Sequence, residues 1–523
     1  MKKRIFKVVV SLMAGYALLF GTSACTDLKE VVYDQIPTDQ FGTTQDQINS
    51  IVGPVYKTLK AYWPGDMFCA IEESSDMAVT PTRRGGDWWD GGVHMELGLH
   101  TWTSRTNPVI SSWNACMDGI TRCNQVYAIL QNSEMSDQDL KTQTLAEIRG
   151  VRAFWYYVLI DMFGNGPLTT DFNDVSVPGM TSRADLYNFV ISELNAIKDV
   201  VRSDVTSDSY GKFTRGAAYF LLAKMDLNAE VWTGTPNWQG VIDACNEVMK
   251  LDYIIEPNWK TNFLVNNSVS REIIFPICFS AADGGNELYN RTLHYLDPIA
   301  LGFKLGTWNG IAANPDFVKQ FDTEDPRYVG SFLMGPMIDP ATGKVLITAH
   351  GRQLIHYVDI TTIPGTEKDG TLWGEVEQED GARVNKWEFE KGLNNSDQNN
   401  HFAIFRLADA YLMKAEALLR LGQDNAEATR LINVIRERAY GDSNHDIQSA
   451  TLHDLYMERR FELAWENLTR QDQIRFGTFN DPTLWRTERS ADYRRLFPIP
   501  FDAWQTNNKL VQNPGYPAFS SSN

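Results

Sequence analysis

The sequence predicts a mostly α-helical chain: a tetratricopeptide-like scaffold of helix pairs, overlaid by long irregular loops and a few short β-strands. Three observations predict it. Apolar residues recur at three- and four-residue spacing through several long segments. These segments come in pairs, and small residues stand where neighbouring helices approach closely. Between residues 256 and 404 the periodicity gives way to clusters of Gly, Asn, Asp and Pro with short β-like runs.

The chain opens with Lys2, Lys3, Arg4 and Lys7, continues with an apolar run from Val8 to Phe20, and then reads Gly21-Thr22-Ser23-Ala24-Cys25. That three-part layout is a secretory signal, so residues 1–24 are expected to be a removed leader and the protein to be exported. The apolar run is 13 residues long, whereas a membrane-spanning helix takes about 20. Small residues before a cysteine resemble the lipobox of bacterial lipoproteins, although Thr22 stands where Leu is usual. Cys25 is then the lipidated mature N-terminus and residues 25–45 a tether. Two or three acyl chains anchor a protein stably, because each buried methylene contributes about 0.8 kcal/mol.

The helices follow in order. In Leu140 to Met162, Leu145, Ile148, Val151, Trp155, Leu159 and Met162 share one face, and Phe163-Gly164-Asn165-Gly166 ends the helix. Further helices are expected over Arg183 to Val201, Thr214 to Val231, Trp238 to Met249, Arg406 to Leu421, Ala426 to Tyr440 and Leu452 to Phe476. Ala217, Ala218 and Ala223 in one, and Ala408, Ala410, Ala415 and Ala417 in another, leave room for close packing. Residues 46–255 and 405–523 are thus the expected scaffold, and 256–404 the loop-rich ligand region. Glu272 to Ile277 and Lys344 to Thr348 are its β-like runs. Loops this long inside a compact chain usually carry function.

The formal charge of −18 becomes −22 once the leader is removed, because residues 1–24 hold four cations and no acid. Such a surface repels nucleic acid, which is excluded as a partner. After Cys25 the cysteines are 69, 116, 123, 245 and 278. They form no zinc pattern or disulfide framework and read as small buried residues, with Cys116 and Cys123 the one plausible local pair. No metal or other cofactor is expected; calcium in an Asp/Asn loop has no EF-hand pattern to support it.

Several segments carry a resemblance through their order along the chain. They are Ala146-Glu147-Ile148-Arg149-Gly150-Val151-Arg152-Ala153 with Phe163-Gly164 and Pro167-Leu168; Phe405 to Ala417; Asn433 to Ala439; Glu458-Arg459-Arg460-Phe461-Glu462-Leu463; Arg470-Gln471-Asp472 with Ile474 to Gly477; Pro498-Ile499-Pro500; and Gln512 to Tyr516. With these the chain resembles the SusD family, also called RagB/SusD, of Bacteroidetes outer-membrane lipoproteins, over nearly its whole length. Asn467 and Thr469 depart from the Gly and Arg often found there. On the residues alone, Glu458, Arg459, Glu462, Glu466 and Arg470 stand at helical spacings and are expected to interlock as structural charge pairs rather than act as catalytic acids. The resemblance implies a non-catalytic, lipid-anchored protein on the outer face of the outer membrane. It would capture oligo- or polysaccharide for a SusC-like TonB-dependent transporter. Some members serve transporters for peptides or other nutrients, which leaves peptide capture as the alternative.

The densest candidate chemistry is Glu72 to Asp76 followed by Pro81 to Gly92. Trp88 and Trp89 are flanked by Asp87, Asp90 and glycine pairs, a composition that disfavours helix and strand interiors, so at least one indole is expected at the surface. An exposed Trp is a flat plate for the C–H face of a sugar ring, while Asp76, Arg83, Arg84, Asp87 and Asp90 offer hydrogen bonds to its hydroxyls. In the resembled family an aromatic in this region commonly contributes to glycan binding. Trp308-Asn309-Gly310, with Tyr289 and Tyr295 upstream, is the candidate opposite wall; Trp373 and Arg352 are further candidates, and for each of these core packing is an equal alternative. No nucleophile elbow, His-x-x-x-His pair, phosphate loop or dinucleotide fingerprint appears. A glycosidase needs only two suitably spaced carboxylates, so that reading ranks low without being excluded by sequence.

Overall fold

The computed structural model describes residues 45–304, 306–393 and 397–520. The leader, Cys25 and all but the last residue of the tether lie outside the described residues.

The helices that build the scaffold are α1 (Gln45–Thr58), α2 (Val93–Leu99), α3 (Asn107–Gln131), α4 (Gln138–Phe163), α5 (Arg183–Ile197), α6 (Arg215–Leu227), α7 (Trp238–Met249), α8 (Leu407–Leu421), α9 (Asn425–Tyr440), α10 (Leu452–Leu463) and α11 (Thr469–Phe476). They pack as neighbours in succession: α3 on α4, α4 on α5, α6 on α7, α7 on α8 and α8 on α9. The contact of α7 with α8 joins the two halves of the scaffold across the intervening 157 or so residues of chain.

Local signals set the helix ends. Asp137 accepts from the Leu140 N–H at 2.9 Å to start α4, and Gly164 at φ 74° stops it. Thr451 and Asp454 form a reciprocal capping box on α10. Close approach of α3 and α4 depends on Gly119, where an added Cβ would lie 2.3 Å from the Trp155 indole.

Three expected helices differ. Leu452 to Phe476 is two helices, because Trp465 (φ 70°) and Asn467 (φ 59°) take left-handed conformations. The buried indole of Trp465 donates to the Ser331 carbonyl, and the Asn467 amide to the Tyr62 carbonyl, which fix that break. Asn467 therefore stands where the family often has Gly because both residue types tolerate this φ. Thr214 to Val231 is interrupted at Asn228, and the helix from Arg183 ends at Ile197. Helices α1, α2 and α3 lie outside the segments expected to be helical; the buried face of α3 includes Ser112, Asn124 and two cysteines, which dilute its apolar stripe.

The strands are short. β1 (Ala78–Val79) pairs antiparallel with β3 (Ala312–Ala313), and β2 (Ile273–Ile277) with β4 (Phe402–Arg406) in the register Phe402 to Ile277. Glu272 to Ile277 is thus a strand, whereas Lys344 to Thr348 forms only isolated bridges, from Val345 to Ile338 and from Ile347 to Gln353. One large apolar core runs through the helices, with a small satellite of Val79, Ala312, Ile360, Trp373, Val376 and Trp485 under the loops. The five cysteines among the described residues are free thiols; Cys116 and Cys123 stay unpaired on α3, and Cys278 is exposed rather than buried.

The charges expected to interlock along one helix pair across elements instead, and they are buried. Arg406 contacts Glu272 (2.9 Å), Glu462 (2.5 Å) and Glu466 (2.7 Å); Arg327 holds Asp325, Glu458 and Glu462; Arg459 holds Asp409 and Asp472.

Candidate functional site

The loop from Arg83 to Gly92 is made by left-handed residues. Gly85, Gly86, Gly91 and Gly92 have positive φ, as do Trp88 (60°) and Asp90 (43°). For a bulky Trp this conformation is unusual and costs roughly 1–2 kcal/mol. It directs the Trp88 indole across Gly310, where an added Cβ would lie 2.6 Å from the ring. The Trp88 Nε1–H donates to the Trp308 carbonyl at 2.5 Å. A segment near residue 88 and one near 308 are thereby joined edge to edge.

Arg83 holds this junction from beneath. Its fully buried guanidinium donates from Nε to the Asn309 carbonyl (2.9 Å), from Nη2 to the Gly310 carbonyl (2.9 Å) and from Nη1 to the Asp380 carbonyl (2.8 Å). Burial and the neighbouring Arg383 lower its pKa. Asn309 (φ 56°) is buried, and its Oδ1 accepts from Arg383 at 2.8 Å. The 309–310 carbonyls therefore face inward and the Trp308 side chain faces out, 38% exposed. Arg291 lies over the Trp308 ring, 5.7 Å from its centroid.

Tyr295, 39% exposed, completes the face. Its hydroxyl donates to Asp87 Oδ2, and its pKa is raised by burial and by that carboxylate. Next along the loop, Arg84 donates to Glu377 at 2.8 Å, and Glu377 lies 3.9 Å from Arg352, which also contacts Glu379. The structure thus brings together Trp88, Trp308, Tyr295 and Asp87, with Arg84 and Arg352 clipped alongside. Two exposed aromatic surfaces beside carboxylates and guanidinium groups can stack on a ring and exchange bidentate hydrogen bonds with vicinal hydroxyls.

Other sequence candidates lie elsewhere. Trp89 is half-buried, turned toward the satellite core, with Lys368 5.5 Å from its ring. Asp90 is exposed and faces His94 at 3.7 Å, which lowers its pKa. Asp76 is taken up by Arg460 at 2.6 Å. Tyr289 is buried against Phe303 and Phe389, and Trp373 is buried against Trp485, its Nε1 donating to Thr82 at 3.3 Å. Arg83, Asn309, Tyr289 and Trp373, expected as ligand contacts, are thus corrected to positions under the surface: each fills space or binds backbone within the fold.

Residues that sequence reasoning missed are Arg291, Glu377 and His94. The alternation Glu375-Val376-Glu377-Gln378-Glu379 was the available signal for Glu377. His94 Nδ1 lies 2.7 Å from Glu73 Oε2 and its ring meets Trp88 edge-on at 5.8 Å. Burial opposes its charge, but Glu73 and Asp90 outweigh that and carry its pKa up to about 9.

Fold and site together define a helical-repeat scaffold that presents an aromatic and carboxylate face on long loops. A family model described as "SusD family" matches residues 374–516, and one described as "Starch-binding associating with outer membrane" matches residues 47–227. The chain belongs to the SusD family. Among similar proteins is the starch-binding protein SusD of Bacteroides thetaiotaomicron, 26% identical over 420 residues, covering 74% of this chain and 75% of that protein. A laminarin binding SusD-like protein has a solved structure with TM-score 0.71 and 22% identity, covering 91% of this chain and all of the other. Surface glycan-binding protein A from Bacteroides thetaiotaomicron, solved in complex with laminarihexaose, has TM-score 0.72 and 18% identity over 90% of this chain and all of its own. These two likenesses concern the fold.

Proposed function

We propose that the protein binds oligo- or polysaccharide outside the cell and delivers it to a SusC-like TonB-dependent transporter, catalysing nothing itself. The observation that carries the reading is the junction of Trp88 with Trp308, which sets two aromatic side chains beside Tyr295, Asp87, Arg84 and Arg352 at the surface. The curated relative's starch-binding description supports a carbohydrate ligand. No helix among the described residues is long and apolar enough to cross a membrane, which fits attachment to the outer membrane through lipid on Cys25. The buried acids Glu458 and Glu462 of α10 and Asp472 of α11 are each committed to a guanidinium, and the curated relative is described as a binding protein, which supports the non-catalytic reading.

Affinity from one aromatic face and a few hydrogen bonds falls on the order of micromolar to millimolar, because sugar hydroxyls give up water to bind. The test is retardation of the native protein in gels containing plant, fungal and microbial polysaccharides, beside Trp88→Ala, Trp89→Ala and Trp308→Ala. Retardation by one glycan, reduced in Trp88→Ala and Trp308→Ala that still fold, supports the reading. No retardation by any polysaccharide shifts the assignment to peptide or other nutrient capture. Release of reducing ends by the purified protein contradicts the non-catalytic part.

A further inference from the structure

We propose that Cys69, Glu73 and His94 form a binding site for a divalent metal of the zinc class beneath the Trp88 platform. The Cys69 sulfur, a Glu73 carboxylate oxygen and a His94 ring nitrogen all lie within 4.8 Å of one another, and all three side chains are buried. Cys69 and Glu73 occupy the two ends of a single π-helical turn, Cys69–Glu73, a rare local geometry often found at functional sites. His94 reaches the same spot from the second residue of α2. One thiolate, one imidazole and one carboxylate are ligand types zinc takes, with a fourth tetrahedral position left for water.

The surroundings match a metal site's supporting groups. The Thr80 hydroxyl donates to Glu73 Oε1 at 2.7 Å, which orients the carboxylate, and Asp90 lies 3.7 Å from His94 Nε2, on the far side of the ring from Glu73. A carboxylate at the second nitrogen of a ligating His fixes its tautomer and orientation. His94 Nδ1 and Glu73 Oε2 lie 2.7 Å apart; a metal binds a thiolate and a neutral imidazole, so its uptake releases protons and strengthens with rising pH. The ligands are spread over residues 69, 73 and 94, which is why no zinc spacing shows in the sequence. Because the His94 ring abuts Trp88, a bound ion stiffens the platform above it.

The test uses the purified protein, stripped with chelator and titrated with ZnCl2 by calorimetry, with bound metal counted by mass spectrometry. Cobalt(II) is the spectroscopic probe. The expected result is one equivalent of zinc with submicromolar affinity and, with cobalt, the near-ultraviolet absorption of a thiolate ligand. Cys69→Ser and His94→Gln each weaken binding at least tenfold. Where a variant fails to fold, the cobalt spectrum of the unaltered protein decides alone. Substoichiometric metal, a cobalt spectrum without the thiolate band, or binding unchanged in folded Cys69→Ser, as at the group of exposed Asp322 and Glu324 with half-buried His445, overturns the proposal. None of these readouts depends on the glycan assignment.

Discussion

Trp88 shows how much a single backbone conformation contributes to this surface. Its left-handed φ lays the indole over Gly310, whose missing side chain leaves room for it. Gly310→Ala puts a methyl 2.6 Å from the indole and 2.8 Å from the Arg291 carbonyl, an overpacking expected to cost about 1–3 kcal/mol and read in a thermal melt. Trp308 behaves differently because it is exposed. Trp308→Ala leaves stability almost unchanged but removes a stacking surface contributing about 1 kcal/mol, a roughly fivefold loss of glycan affinity. Glu72, fully buried one residue before Glu73, has its pKa lifted by burial to about 7, against hydrogen bonds from Thr469 and the 467–468 backbone. A carboxyl bound more tightly by its proton when folded stabilises the protein below its unfolded pKa, and that stability is lost as pH rises through about 7. Glu72→Gln is therefore expected to stabilise the protein by about 3 kcal/mol at pH 8 and by under about 1 kcal/mol at pH 5, checked by urea unfolding at both.

At the scale of elements, helices with an unbroken apolar stripe were legible from sequence: α7 has its expected ends, and α4 and α8 differ by a residue or two. The stripe fails as a guide where burial is shared with polar groups, as in α3, or where a left-handed residue cuts a continuous pattern, as at Trp465 and Asn467. For the proposed site, composition singled out the 87–90 and 308–310 segments, which the fold places against each other, but it gave no means of ordering inside from outside. Arg83 and Asn309 carry sugar-binding chemistry, and in the fold that chemistry is spent on backbone carbonyls and on Arg383. The ion pairs joining α10 to its neighbours also escaped the helical-spacing argument. Glu462 is buried and contacts Arg327, Arg406 and Arg438. Glu462→Gln leaves three guanidinium groups short of a buried charge and is expected to destabilise the fold by about 3–5 kcal/mol, measured by denaturant midpoint.

Across the whole molecule, the buried ion pairs set how stability responds to acid. Burial opposes ionisation of Asp409, Glu416, Glu462 and Asp472, yet their Arg and Lys partners prevail and hold each pKa below the ordinary carboxylate range. A depressed folded pKa contributes stability that is present above the unfolded pKa, near 4, and is lost as pH falls below it. Cooperative acid unfolding below about pH 4 is expected, followed by circular dichroism. The scaffold thus holds these charges inside in paired form, while the loops it supports present Trp308, Tyr295 and Asp87 outward around a half-buried Trp88.

That outward face is the central claim, and one titration tests it most directly. An oligosaccharide cut from whichever polysaccharide retards the protein is titrated calorimetrically into the unaltered chain and into Trp308→Ala, with thermal melts of both run in parallel. Saturable binding that falls about fivefold in Trp308→Ala, at an unchanged melting temperature, is the predicted result. Equal affinity in the two folded proteins contradicts the account and moves the binding site away from this face.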